Sequence, residues 1–195
     1  LAFLRSTIAC IFFLRWIDFK IPFSYILKIV LIGALQIGIM YMLYLNAFNY
    51  TSVQKILLFT VTTPFYITMI SQIINKKIKL FAFFIALISI LGALVIRMTD
   101  FNTGDFVGFI FIQLANVSFA LGQVLYKIIK ADNKISTNVY TDFSFFFIGA
   151  SFITLIGLMI STSSYTQPSS TNQWLLVLWL GGGASGIGYY FWNHG

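Results

Sequence analysis

The charged residues of this chain stand a membrane's width apart. Lys28 and Lys55 enclose 26 uncharged residues, Lys55 and Lys76 enclose 20, Lys79 and Arg97 enclose 17, and Asp105 and Lys127 enclose 21. A helix crosses a hydrocarbon core of about 30 Å with roughly 20 residues, in a range of about 17 to 25. Beyond Asp142 no formal charge remains, and the polar run 161–173 divides that last stretch in two. The spacing predicts seven spans, at 2–14, 26–48, 53–74, 80–96, 106–129, 143–160 and 174–193, the first too short to be whole. Only 9% of the residues are charged, whereas a water-soluble domain needs about 25%. The expected fold class is therefore all-α, a polytopic transmembrane helix bundle whose solvent is the lipid bilayer.

The charges also predict orientation. The chain carries 12 Lys and Arg against five Asp, with no Glu, for a net charge of +7. Such a balance can mark nucleic-acid binding, but here all the basic residues except Arg5, which lies in the first span, fall in or beside the connections and alternate in number. Successive connections hold 3, 1, 3, 1, 3 and 0 of them. Basic residues stay on the cytoplasmic side, so loops 15–28, 76–79 and 127–134 are expected to be cytoplasmic, near anionic head groups. No nucleic-acid partner is expected. One cysteine, Cys10, and one histidine, His194, exclude a disulfide framework and a multi-ligand Cys/His metal site, and no cofactor is implied.

The second and last spans resemble each other at an offset of 148 residues. Leu27, Gly33, Gly38, Ile39 and Tyr41 recur as Leu175, Gly181, Gly186, Ile187 and Tyr189, and Tyr44 faces Trp192. By the loop charges the two copies run in opposite directions. Inverted repeats are a signature of secondary transporters, with the substrate near the midplane between the halves. The sequence starts at Leu1, within an apolar run, and reads as a fragment with at least one helix expected upstream.

Several residues invite both a functional and a structural reading. Gly182 and Gly186 have the GxxxG spacing that lets membrane helices approach closely; the glycine run they belong to lacks the Lys of a phosphate-binding loop. Pro64 lies inside a span behind Thr60, Thr62 and Thr63, so it kinks a helix, either statically or as a hinge. Lys55 is the lone basic residue of its connection; it either snorkels to the interface or meets a substrate carboxylate. Gln113, Asn116 and Gln123 fall within about 80 degrees on one helix face. Buried amides can merely join helices, but with Tyr41, Tyr189 and Trp192 they also suit a compact polar ring. His194 is read as interfacial. The acids lie in or beside loops, so no buried carboxylate is expected and proton coupling has no candidate.

The segments 40–43 (MYML), 57–68 (LLFTVTTPFYIT), 113–127 (QLANVSFALGQVLYK) and 184–195 (ASGIGYYFWNHG) resemble the drug/metabolite transporter superfamily, in its EamA-domain branch. Within that branch they are most similar to the YigM-type bacterial biotin transporters. The resemblance implies a ten-helix fold of two inverted five-helix repeats, of which about seven helices are present. Residues 1–100 would be the first repeat, lacking its first helix, and 101–195 the second, lacking its last two. It implies uptake of a small metabolite, biotin by best match, across the bacterial inner membrane by alternating access. An exporter of amino acids, amines or drugs on the same fold is the alternative. A membrane-embedded enzyme would need a cluster of ionisable residues that this chain lacks. The superfamily commonly has an acidic residue after its fourth helix, where this chain reads NKKIK at 75–79. In this reading Tyr41, Asn116, Tyr189 and Trp192 hold the ring, Lys55 holds the carboxylate, and Pro64 and Gly186 permit rocking.

Overall fold

The computed structural model describes residues 1–76, 80–81, 83–84, 87–88, 91, 103–131, 137–161, 167–189 and 191. Most of the expected span 80–96 lies outside these residues, as do Trp192 and His194. Among the described residues the chain is helical and has no strand. The helices are α1 (Ala2–Phe13), α2 (Phe23–Gly33), α3 (Met40–Ala47), α4 (Val53–Thr60), α5 (Thr63–Asn75), α6 (Thr103–Ala131), α7 (Val139–Ile160) and α8 (Thr171–Leu178). Two π-helical stretches, Ala34–Ile39 and Trp179–Ile187, interrupt or extend them. Through the first, α2 and α3 form one continuous span, Phe23–Ala47.

Four stretches are long and apolar enough to cross a bilayer: Phe23–Ala47, Val53–Asn75, Thr103–Ala131 and Val139–Ile160. Each coincides with a span expected from the charge spacing. Their ends carry ordinary stop signals. Asn138 caps α7 by accepting from the Tyr140 N–H, and Ser170 caps α8 by accepting from the Gln173 N–H. Lys76 closes α5 in the left-handed conformation, at φ 51°. Large apolar side chains face outward, among them Ile73, Phe152 and Leu176, at 67%, 64% and 60% exposure. Such a surface suits lipid and not water.

The chain divides into two compact units. The first comprises Leu1–Ile39 and Lys130–Gly195. Its centre is α7, against which α1, α2 and the first π-helical stretch pack. Phe13, Phe143, Phe146 and Phe147 are buried there, and the Phe13 and Phe147 rings stack at 5.5 Å. α2 and α7 meet backbone to backbone: a Cβ on Gly33 would lie 2.1 Å from the Phe146 carbonyl oxygen, and one on Gly149 1.9 Å from that of Val30. The second unit, Met40–Ile129, holds a cluster of Ala47, Ile56, Phe59 and Ile112 and another of Ile70, Ala120 and Val124.

The close packing expected of Gly182 and Gly186 falls elsewhere. A Cβ on Gly182 would meet nothing within 4 Å among the described residues, and one on Gly186 would have ordinary contacts of 3.5 Å or more. It is Gly181 that meets α1, where a Cβ would lie 2.6 Å from that of Ile8. Spacing alone selects glycines four apart; the face turned to the neighbour selects the one next door.

Pro64 is also placed differently from a kink within one helix. The chain turns at Val61 and Thr62, and Pro64 sits in the first turn of α5, where its missing N–H costs little. We expect Gly149→Leu to destabilise the protein by about 3 kcal/mol or more, as backbone cannot yield to the added atoms. Gly182→Ala should change stability by less than about 0.5 kcal/mol. Thermal unfolding of the two full-length variants in detergent checks both values.

Candidate transport site

Inside a bilayer each backbone group released by a break must find another partner. At Thr60–Pro64 the partners are side chains. Proline removes the donor for the Thr60 carbonyl, and the Thr63 hydroxyl takes its place at 2.6 Å. The Phe59 carbonyl receives Asn116 Nδ2 at 3.0 Å and lies 3.4 Å from Gln113 Nε2. Asn116 also donates to Thr62 Oγ1 at 2.9 Å, and the Thr62 hydroxyl is 2.7 Å from Gln113 Oε1. Gln113 and Asn116, one turn apart on α6, therefore bind the broken end of α4. Asn116 is buried at 5% exposure, with its amide hydrogens spent on this junction.

One turn before Phe59, Lys55 pairs with Asp105 in the first turn of α6, Nζ to Oδ2 at 2.7 Å. Asp105 accepts a second hydrogen bond from Thr51. The carboxylate is 3% exposed and the ammonium 15%. A substrate carboxylate at Lys55 would have to displace Asp105.

The first unit has a comparable centre. Asp142 is fully buried, pairs with Lys130 at 2.8 Å, and accepts from Thr137 Oγ1 at 2.8 Å and from the Tyr25 hydroxyl at 3.0 Å. Lys130 donates further to the Thr137 carbonyl at 2.9 Å. The network fastens the start of α2 to the end of α6 and the start of α7. Both buried carboxylates correct the expectation that every Asp is solvated in or beside a loop. Each lies in the first turn of a helix, where the axial dipole favours a negative charge. That position was visible in the sequence; the basic partners were not.

A third polar contact lies between α1 and the second π-helical stretch. Arg5 donates to Ser185 Oγ from Nε at 3.3 Å and from Nη2 at 3.2 Å. The Ser185 hydroxyl donates to the Leu180 carbonyl at 2.7 Å, five residues back, as the wider π turn allows. Next to Arg5, the buried Ser6 hydroxyl meets Thr154 Oγ1 of α7 at 2.9 Å. Further along the same interface a cavity of about 260 Å³ is lined by Phe12, Arg15, Trp16, Tyr140, Ile187 and Phe191, among others. Arg15 lies over the Trp16 ring at 3.7 Å, and Trp16 stacks on Tyr140 at 4.9 Å. Neither Arg5 nor this cavity stood out in the sequence as a site.

The expected site residues divide accordingly. Tyr41, Lys55 and Asn116 belong to the second unit, with Tyr41 buried at 6% exposure. Tyr189 belongs to the first unit, its ring edge-on to Phe147 at 6.4 Å. Trp192 is outside the described residues. Among the described residues no group of His, Cys, Asp and Glu could hold a metal ion.

Comparison with known proteins gives a consistent answer. The EamA-like transporter family matches residues 1–98. A biotin transporter of Escherichia coli K12 is 37% identical over 166 residues, which is 85% of this chain and 55% of that protein. A biotin transporter of Salmonella typhimurium matches to the same extent. A probable biotin transporter of Pseudomonas aeruginosa is 36% identical over 168 residues, 86% of this chain and 58% of that protein. The chain thus spans little more than half the length of the curated relatives it matches. No solved structure matches it significantly.

The buried Lys130–Asp142 pair makes a prediction of its own. Asp142→Leu leaves the ammonium uncompensated, and we expect a loss of about 3 kcal/mol. Lys130→Met combined with Asp142→Leu should recover at least half of it, because the apolar pair removes both desolvation penalties. Unfolding midpoints of the single and double variants check this.

Proposed function

Because this chain belongs to the EamA-like transporter family, we propose that the complete protein carries biotin into the cell across the bacterial inner membrane by alternating access. The observation that supports the cargo is the 37% identity to a biotin transporter along 85% of this chain. Relatives named as transporters support a transport role for the complete protein, not an enzymatic one. In this proposal the basic loops 15–28, 76–79 and 127–134 face the cytoplasm, and residues 1–100 and 101–195 belong to two inverted repeats.

The described geometry fits a carrier in one particular respect. The two π-helical stretches, Ala34–Ile39 and Trp179–Ile187, fall at matching positions of the internal repeat, since 34 and 39 shifted by 148 become 182 and 187. Wide turns of this kind recur at functional sites, and irregular helices at corresponding places in the two halves accompany transporter binding sites. Biotin joins a fused polar ring system to an anionic valerate tail. Tyr41, Asn116, Tyr189 and Trp192 are the proposed ring contacts. Lys55 would serve the carboxylate only by exchanging Asp105 for it.

Uptake tests the proposal. In a bacterium unable to make or import biotin, the full-length protein should give saturable uptake of labelled biotin at nanomolar concentration, abolished by excess unlabelled biotin. A protein demonstrably in the membrane that takes up none would sink the cargo.

A further inference from the structure

We infer that the 260 Å³ cavity of the first unit receives the carboxylate and apolar tail of the transported acid, with Arg15 as its anion-binding residue. The inference rests on the proposed transport of biotin and deepens it. Its first support is the lining. Phe12 and Phe13 come from the end of α1, Arg15 and Trp16 from the turn that follows, Tyr140 from the first turn of α7, and Ile187 from the end of the second π-helical stretch. All belong to one compact unit. Phe13 is buried and stacked on Phe147 at 5.5 Å, and Trp16 is stacked on Tyr140 at 4.9 Å, so the walls are held in place without a ligand. Apolar, aromatic walls around a single charged group are the usual build of a small-molecule site. The volume is close to the lower end of such sites, about 300 Å³, so the occupant is a small acid and not a peptide.

The second support is the charge. Arg15 is the charged member of the lining, and it is exposed. Its guanidinium carbon lies 3.7 Å from the centre of the Trp16 ring and 5.7 Å from that of Phe12. A separation of 3.7 Å is that of stacked planes, so the indole takes the face of the group and leaves its in-plane N–H donors at the edge. Among the described residues this side chain makes no hydrogen bond and no ion pair. Asp18, the acid nearest to it in sequence, accepts instead from the Lys20 backbone N–H at 2.9 Å. A carboxylate matches the open edge in two-point fashion. Lys55 could take this part only by giving up Asp105, at 2.7 Å; Arg15 has nothing to exchange.

The third support is continuity with a proposed ring contact. Phe147, on which Phe13 stacks, meets the Tyr189 ring edge-on at 6.4 Å. Tyr189 itself follows Ile187 by two residues. Cation, apolar walls and Tyr189 thus belong to one aromatic cluster within one unit, and an acid with an apolar tail leading to a ring carries the complementary groups.

Binding of biotin and of its uncharged amide to the purified full-length protein tests the assignment. Wild type should prefer biotin at least tenfold. Arg15→Gln should weaken biotin tenfold or more and the amide less than twofold, removing the preference. Trp16→Leu, which removes a wall of the cavity, should weaken both ligands at least threefold. Equal losses for both ligands in Arg15→Gln, or no loss, would overturn the role of Arg15 while leaving the cargo intact. Unchanged binding of both in Trp16→Leu would overturn the cavity as the place. Should a variant not fold, the wild type decides: saturating biotin should slow the modification of Arg15 by phenylglyoxal at least threefold, as located by mass spectrometry, and an unchanged rate overturns the assignment. A wild type that binds neither ligand would overturn the cargo reading and this assignment with it.

Discussion

Hydrocarbon offers no replacement for a hydrogen bond that a helix gives up, and the described structure is organised around that fact. Where the helix breaks at Val61 and Thr62, the donors and acceptors come from Thr62, Thr63, Gln113 and Asn116. Where the helix widens at Trp179–Ile187, the Ser185 hydroxyl reaches the carbonyl of Leu180. At both places polar side chains thus satisfy backbone groups that an irregular helix leaves open. These joints replace the hydrophobic effect, which gives helices in lipid no reason to associate. The rest of the adhesion is close packing, as where Gly33 and Gly149 let α2 and α7 touch.

Charges obey the same constraint more strictly. Asp105 and Asp142 are buried, and each is paired with a lysine and further hydrogen-bonded. Such pairs contribute little net stability, because desolvation offsets the Coulomb attraction, but they define which helix ends belong together. Arg5, on α1, donates from Nε and Nη2 to Ser185 Oγ and so joins two further helical stretches.

Much of the fold was legible. The spans 26–48 and 143–160 were expected, and the structure has Phe23–Ala47 and Val139–Ile160. Their length is imposed by membrane thickness, a constraint that acts on the sequence locally. What depends on partners distant in the chain was not legible. Nothing near Lys55 announces Asp105, 50 residues away. Likewise, Gly181 and Gly182 are adjacent and chemically identical, and only the position of α1 distinguishes them. Asn116 illustrates the middle ground: the amide face on α6 was visible, but its use at the Phe59 carbonyl follows from a break that Pro64 alone did not locate.

A carrier differs from a channel or a binding protein in that the same site faces each side in turn. Counterflow tests that property most directly. Proteoliposomes containing the full-length protein and loaded with unlabelled biotin are diluted into labelled biotin. The account predicts that label enters faster than into empty vesicles and transiently exceeds its equilibrium level. Equal entry into loaded and empty vesicles would contradict it.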